Sequence, residues 1–359
     1  MATLADPRLE VRPAVGAEAV SRPPRKRGAA RPAVAIALTW TAFVGVHLAL
    51  TGRWWVWALV GLLPPLAFLV VPVALAGTLA AVRSRSLLGW TGVVVSLLLG
   101  LGQSGVAWPR LDAAAPTFGA IRVVAWNTEY WDQGESSGAF YRFLARQRAD
   151  VYVLQEYGFW DGHDIRPIDR RRELRAWFPG YRVAVSDDML TLSRFPVSRR
   201  RVVVREGVLR TDLATPEGDL SVYNVHLKAP YDLSVAPWHG SFWRALRGRA
   251  EQRHDQVEAL SGDVGANSAP LLLAGDFNTT PAMGQIGPLR SRLTDAAQTS
   301  GVELPRTWTG AGLRLWRLDW DLLGNGARAS RFDISSSRGH SDHALQSFTV
   351  HLPRRGRTT

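Results

Sequence analysis

The sequence predicts an α/β (α+β) domain behind a membrane-type front third, on three observations. From about Ala120 onward, short apolar, β-branched runs alternate with stretches of helical spacing. Several of those runs end on Asn, Glu, His or Asp. Residues 33 to 108, by contrast, are almost continuously apolar. With 359 residues there is material for two domains and a substantial core.

The front third contains three apolar stretches, Ala33–Leu50, Trp54–Val82 and Leu87–Trp108. Each reaches the roughly 20 residues that a hydrocarbon core of about 30 Å requires, so three transmembrane helices are expected. Pro64 and Pro65 leave the second open between one kinked helix and two re-entrant pieces. Trp54, Trp55, Trp57, Trp90 and Trp108 lie near the ends, as in aromatic belts. A signal peptide would have one apolar region of about 7 to 15 residues. Cations flank the segment before the first stretch (Arg22, Arg25, Lys26, Arg27, Arg31) and the loop before the third (Arg83, Arg85). Positive-inside bias then makes the N-terminus cytoplasmic and the remainder extracytoplasmic, on a multi-pass protein of the cell membrane.

The expected organisation is a disordered, basic cytoplasmic tail (1–32), the apolar region (33–108), a Pro/Ala/Gly linker (109–119), a catalytic domain (120–352) and a basic tail (353–359). Formal net charge is +12, almost all of it from arginine, since Lys26 and Lys228 are the two lysines. That charge suits an anionic membrane surface, a phosphorylated substrate or nucleic acid. The absence of cysteine excludes disulfides, thiolate metal sites and cysteine nucleophiles.

Along the domain, strands are expected at Ile121–Trp126, Asp150–Glu156, YRVAVS, MLTLSRFPV, Leu220–Pro230, LLLAGDFN and within LRLWRLDWDLLG, with a final turn and strand in RGHSDHALQSFTVHL. Helical spacing marks Phe140–Ala149 and Trp243–Leu260. In α/β proteins, polar residues at strand ends project into one crevice. Here they are Asn127, Glu129, Glu156, His226, Asp276, Asn278, Asp319, Asp342 and His343. Carboxylates, amides and imidazoles without thiolate suit a hard dication, Mg²⁺ or Mn²⁺, that keeps waters for a phosphate to displace. Asp276 and Asn278, two apart in LLLAGDFNTTP, fall on one side of an extended chain. His163, His239, His254, His340 and His351 read as surface or structural histidines.

The motifs WNTE, LQE, SRFP, NVHL, GDFN, RLDW and GHSDH occur in this order across residues 120–352. In this the chain resembles the endonuclease/exonuclease/phosphatase superfamily of DNase I-like nucleases, sphingomyelinases and inositol phosphatases. The resemblance implies two packed mixed β-sheets flanked by helices, a four-layer sandwich. It implies metal-binding roles for Glu156, Asn127 and Asp342, with Glu129 a possible second metal contact. It also implies that His226 and His343 contact the phosphate, that Asp276 and Asn278 orient water and a phosphoryl oxygen, and that Asp319 supports His343. The implied reaction is in-line attack of water on phosphorus. The segment before SRFP reads DDMLTL, without the Gly-Asn often found there, which implies altered substrate contacts.

The whole architecture is similar to the actinobacterial VanJ-type teicoplanin-resistance proteins. That likeness implies a lipid-linked substrate such as undecaprenyl pyrophosphate, with the bilayer as partner and no obligate protein partner. Lys228, Trp238, Trp243 and Arg244 are the expected rim toward lipid and anionic head groups. A nuclease acting on DNA or RNA is the alternative.

Overall fold

The computed structural model describes residues 29–108, 120–232, 235–299 and 303–353. Most of the expected basic tail, the linker and residues 354–359 lie outside the described residues.

The front third departs from three separate spans. Helix α1 (Ala30–Leu50), with a mean hydropathy of 1.9, is the one described helix long and apolar enough to cross a membrane. The second stretch breaks into a 3-10 helix (Trp55–Leu62) and α2 (Ala67–Ala81), bent by 65°. Pro64 and Pro65 stand at the break, where fixed φ angles and missing donors interrupt the hydrogen-bond ladder. Helix α3 (Leu87–Leu101) has 15 residues, a rise of only about 22 Å. Small residues let these helices approach closely: the Thr41 hydroxyl donates to the Gly92 carbonyl at 2.8 Å.

The domain runs β1 (Ala120–Asn127), α4 (Ser137–Arg146), β2 (Val151–Gln155), β3 (Gly158–Trp160), β4 (Ile165–Pro167), α5 (Arg171–Trp177), β5 (Arg182–Ser186), β6 (Met189–Ser193), β7 (Val197–Val204), β8 (Val208–Thr215) and β9 (Gly218–His226). Then follow α6 (Gly240–Ala266), β10 (Leu271–Asp276), α7 (Gly287–Arg290), β11 (Thr294–Asp295), β12 (Trp308–Gly310), β13 (Leu313–Trp316), β14 (Asp319–Gly324), β15 (Arg328–Ser335) and β16 (Leu345–His351). Two six-stranded sheets form, ordered β15-β16-β1-β2-β6-β5 and β11-β14-β10-β9-β8-β7. Each is mixed, with one parallel pair at its centre, β1–β2 and β9–β10.

Side-chain alternation separates the layers. Ile121, Val123 and Ala125 of β1 join Val151, Val153, Leu220, Val222, Leu272, Ala274 and Leu323 in one core between the sheets. Val124, Trp126 and Leu154 face outward under Phe140 and Leu144 of α4. Tyr223, Val225, Leu271 and Leu273 face outward under Val257 and Leu260 of α6. The result is a helix–sheet–sheet–helix sandwich.

Several strands were not expected from pattern: the β7–β8 hairpin, whose Arg199–Arg201 run sits exposed on an edge strand, and β15. The expected strand within LRLWRLDWDLLG divides into β13 and β14, with Asp319 opening β14 and Asp321 inside it.

Gly275, the last but one residue of β10, has φ +132°, and a Cβ there would meet the Val225 carbonyl oxygen at 2.3 Å and Gln155 Nε2 at 2.6 Å. Gly275→Ala is expected to destabilise by more than about 2 kcal/mol, because backbone cannot give way cheaply. Thermal unfolding of the full chain in detergent reads this; an unchanged midpoint would contradict it.

Candidate active site

The inward rows of the strands continue past the apolar core into polar residues. After Ile121, Val123 and Ala125 comes Asn127; after Leu272 and Ala274 comes Asp276; after Leu220, Val222 and Asn224 comes His226. In register, His226, Asp276 and Asp319 lie side by side on β9, β10 and β14. His226 and Asp276 open into a cavity of ≈ 600 Å³, lined also by Glu129, Tyr130, Glu156, Lys228, Asn278, Asp342 and His343, while Asp319 lies buried behind His343.

Asn127 Nδ2 donates to Glu156 Oε1 at 3.0 Å and to Asp276 Oδ2 at 3.1 Å, tying the two sheets together at the floor. The Asn278 amide N–H donates to Asp276 Oδ1 at 2.7 Å, and its side chain donates to the Leu227 carbonyl at 2.9 Å. The Asp342 N–H donates to Glu129 Oε2 at 2.7 Å, and Trp308 Nε1 donates to Asp342 Oδ2 at 2.7 Å. Ser341 Oγ donates to the Asn127 carbonyl and accepts from the His343 N–H, which fixes the terminal SDH turn against β1.

Each of the two histidines holds an aspartate on Nδ1. His343 Nδ1 is 2.9 Å from Asp319 Oδ2, and its Nε2 stands 3.7 Å from Asp276 Oδ2. His226 Nδ1 is 2.6 Å from Asp188 Oδ2, with its Nε2 3.9 Å from both Glu156 and Asp276. Burial pulls the His226 imidazole down, but the charge and hydrogen bond of Asp188, with Asp276 and Glu156 behind, raise it to about 10. Burial likewise opposes charge on His343, and the nearby Asp319 and Asp276 raise it well above the usual imidazole range. Burial pushes the Glu156 carboxyl up, against His226 and Asn127.

The backbone around these groups is strained. Glu129, Tyr130 and Trp131 are three successive non-glycine residues with φ between 50° and 65°, and Glu156 and Asn278 also have positive φ. Left-handed non-glycine residues cost about 1–3 kcal/mol each and persist where surroundings over-determine them. Here Asn127 Oδ1 accepts from the Glu129 N–H, Glu156 Oε2 accepts from the Tyr130 N–H, and Trp131 is buried among Phe140, Tyr141 and Tyr157.

Among the described residues, Asp276, Asp319 and His343 bring ligand atoms within 4.8 Å of one another. Because Asp319 is engaged by His343 Nδ1, this trio reads as a hydrogen-bonded pair beside Asp276. Glu156 and Asp342 add carboxylate oxygens to that of Asp276 along the cleft, the donor type that suits a hard dication, while the Asn127 amide turns its NH2 to Glu156 and Asp276 and its oxygen to the Glu129 N–H. Of the nine polar strand-end residues singled out from sequence, Glu129, Glu156, His226, Asp276, Asn278, Asp342 and His343 line this cleft together with Lys228. Asn127 and Asp319 lie buried behind it, hydrogen-bonded to Glu156 and Asp276 and to His343. Trp238, Trp243 and Arg244 do not line it; Trp243 instead packs edge-on against Trp55 beside the apolar helices, ring centroids 6.3 Å apart. Asp188 was missed. Its signal was the DDMLTL segment itself, where the departure from Gly-Asn supplies the carboxylate that holds His226. Arg249, from the arginines that follow Trp243 in the expected rim segment, does line the cleft, and Arg166 and Trp308 line it without a sequence signal.

In the metal-free protein, the raised His226 contributes stability that is fully present below its unfolded value of ~6.5. It is lost as pH rises through about 10. Asp188→Asn removes the carboxylate that holds the proton, so His226 is expected to titrate at lower pH, read by ring NMR. An unmoved titration would show that Asp188 is not the source.

Residues 124–343 match the Endonuclease/Exonuclease/phosphatase family. No curated protein matches the chain. Among solved structures, the 3′ phosphatase NExo from Neisseria bound to product DNA hairpin is similar at 14% identity and TM-score 0.50, over 65% of this chain and 100% of that one. An endonuclease/exonuclease/phosphatase from Beutenbergia cavernae DSM 12333 is similar at 17% identity and TM-score 0.48, over 65% and 72%. An AP endonuclease from Archaeoglobus fulgidus is similar at 13% identity and TM-score 0.46, over 64% and 98%. With the family matched from the β1 strand to the last histidine of the cleft, the chain belongs to the Endonuclease/Exonuclease/phosphatase family, hydrolases of phosphoester bonds that are usually metal-dependent.

Proposed function

We propose that the chain is a membrane-anchored, extracytoplasmic phosphohydrolase of a lipid-linked phosphoester or pyrophosphate, such as undecaprenyl pyrophosphate, and that it uses Mg²⁺ or Mn²⁺. The observation that carries the reading is the pair of aspartate-held imidazoles flanking Asp276 in one cleft, joined to an apolar helix. Support for the anchor comes from the composition of α1 and from the cations before it. The bent pair and the short α3 would complete a multi-pass anchor only if both enter the bilayer. The bilayer and a phosphorylated substrate are the partners proposed, with no obligate protein partner.

Both imidazoles favour the protonated state, so they suit donation rather than proton abstraction. His226 and His343 donate to phosphoryl oxygens, and one of them passes a proton to the leaving oxygen. Asp276, oriented by the Asn278 N–H, accepts a proton from the water that attacks phosphorus. Asp188 and Asp319 hold the rings in orientation. Glu156, Asn127 and Asp342 would hold the dication, which supplies neutralisation of charge on the phosphoryl oxygens. Lys228, Arg166 and Arg249 offer positive charge at the mouth of the cleft.

A nuclease reading is favoured by one observation: Tyr130 in the cleft stacks on Trp160 with centroids 5.4 Å apart, a surface suited to a base. The similar Neisseria structure carries a DNA hairpin, but that likeness is one of fold.

Full-length protein in detergent with Mg²⁺ is expected to release phosphate from undecaprenyl pyrophosphate, with supercoiled plasmid assayed in parallel. Asp276→Ala is expected to lower turnover about 10²–10⁴-fold. Chelation should abolish turnover and re-addition of Mg²⁺ or Mn²⁺ restore it. Plasmid nicking without lipid turnover would replace this reading with the nuclease.

A further inference from the structure

Arg253, on α6, is fully buried, yet its hydrogen-bond acceptors are all neutral. Nη1 donates to the Lys228 carbonyl, two residues past His226. Nη2 donates to the Phe277 carbonyl at 3.3 Å and to Thr279 Oγ1 at 2.5 Å, on either side of Asn278. Nε donates to Gln285 Oε1 at 2.9 Å. Burial pulls the guanidinium down to about 10, and the charge of Asp276 opposes this. A buried cation is costly unless its surroundings satisfy it, and a planar fork with several fixed donors sets geometry more tightly than an ammonium. One side chain thus fixes both loops that leave the cleft, the one after β9 and the one after β10.

The same contact set runs outward. Gln285 follows Gly284, whose N–H donates to Thr51 Oγ1 at 3.0 Å, while that hydroxyl donates to the Ala282 carbonyl at 2.8 Å. Thr51 caps α1. A Cβ on Gly52 would meet the Gly284 carbonyl carbon at 2.8 Å, and one on Gly284 would meet the Thr51 oxygen at 2.8 Å. The two backbones therefore touch with no side chain between them.

We propose that Arg253 is a positioning residue that locks the His226 and Asp276–Asn278 loops together, and that Gln285 ties this lock to the turn at the end of α1. Seating of the N-terminal helices then sets the geometry of the cleft. The inference rests on the cleft being the hydrolytic site proposed above.

The chain's two lysines make a selective probe. In a Lys26→Arg background, ¹⁵N-lysine labelling of the full chain in detergent leaves one amide signal, that of Lys228, beside the Arg253 contact. Gln285→Leu and Thr51→Val cut the link away from the cleft. Both are expected to unfold within about 4 °C of the parent, to shift the Lys228 signal, and to lower kcat about tenfold on bis-p-nitrophenyl phosphate with KM unchanged. Arg253→Lys, keeping charge but losing the fork, should do the same more strongly. An unmoved Lys228 signal with unchanged kcat in both outer variants would overturn the proposal. A wild type silent on both this ester and undecaprenyl pyrophosphate, whose Lys228 signal still moves in the variants, would refute the hydrolytic reading and leave the positioning intact.

Discussion

The opposition of two twisted sheets imposes one constraint on which the rest depends: every second side chain on each central strand points into the space between them. In the middle of the sandwich that space is filled by Val123, Val153, Val222, Leu272 and Phe348. Toward one end the same rows become polar, through Gln155 and Asn224, which are hydrogen-bonded across the sheets at 2.7 Å. Beyond them lie Asn127, His226, Asp276 and Asp319. The cleft is thus the open end of the core, and the groups at its floor are almost wholly buried. That is why the imidazoles and carboxylates there interact so strongly: little water intervenes to screen them.

Burial alone would discharge these groups. The structure answers with pairing: Asp188 for His226, Asp319 for His343, and Asn127 bridging Glu156 and Asp276. The left-handed run at Glu129–Trp131 extends the same logic to the backbone, because strained N–H groups are satisfied by the side chains of the site itself. Working residues and the contacts that hold them are therefore largely one network.

Much of this was legible in the sequence because it follows from period-two alternation. A run such as LLLAGD carries its own inward row, and the residue on which the row ends is visible without a structure. Asp188 was less legible because its partner lies on a different sheet, and the turn between β5 and β6 decides where it points. Arg253 gave no signal, since one buried arginine in an arginine-rich helix looks like its exposed neighbours. The β7–β8 hairpin was hidden for the opposite reason: edge strands carry charge, and Arg199–Arg201 read as surface. The front third was overcounted because hydropathy counts apolar residues, whereas a spanning helix also needs an unbroken ladder, and Pro64–Pro65 interrupts it.

His226, Asp276 and Asp319 are neighbours by sheet register, one on each of three adjacent strands. Their spacing is set by the backbone ladder, at about 4.8 Å per strand, rather than by any loop. A lineage carrying this sandwich can therefore rewrite the rim, lengthen or shorten the loops that meet substrate, and attach new flanking segments while the chemistry stays calibrated. Divergence in what is hydrolysed and conservatism in how it is hydrolysed become separable, because they are written on different parts of the chain.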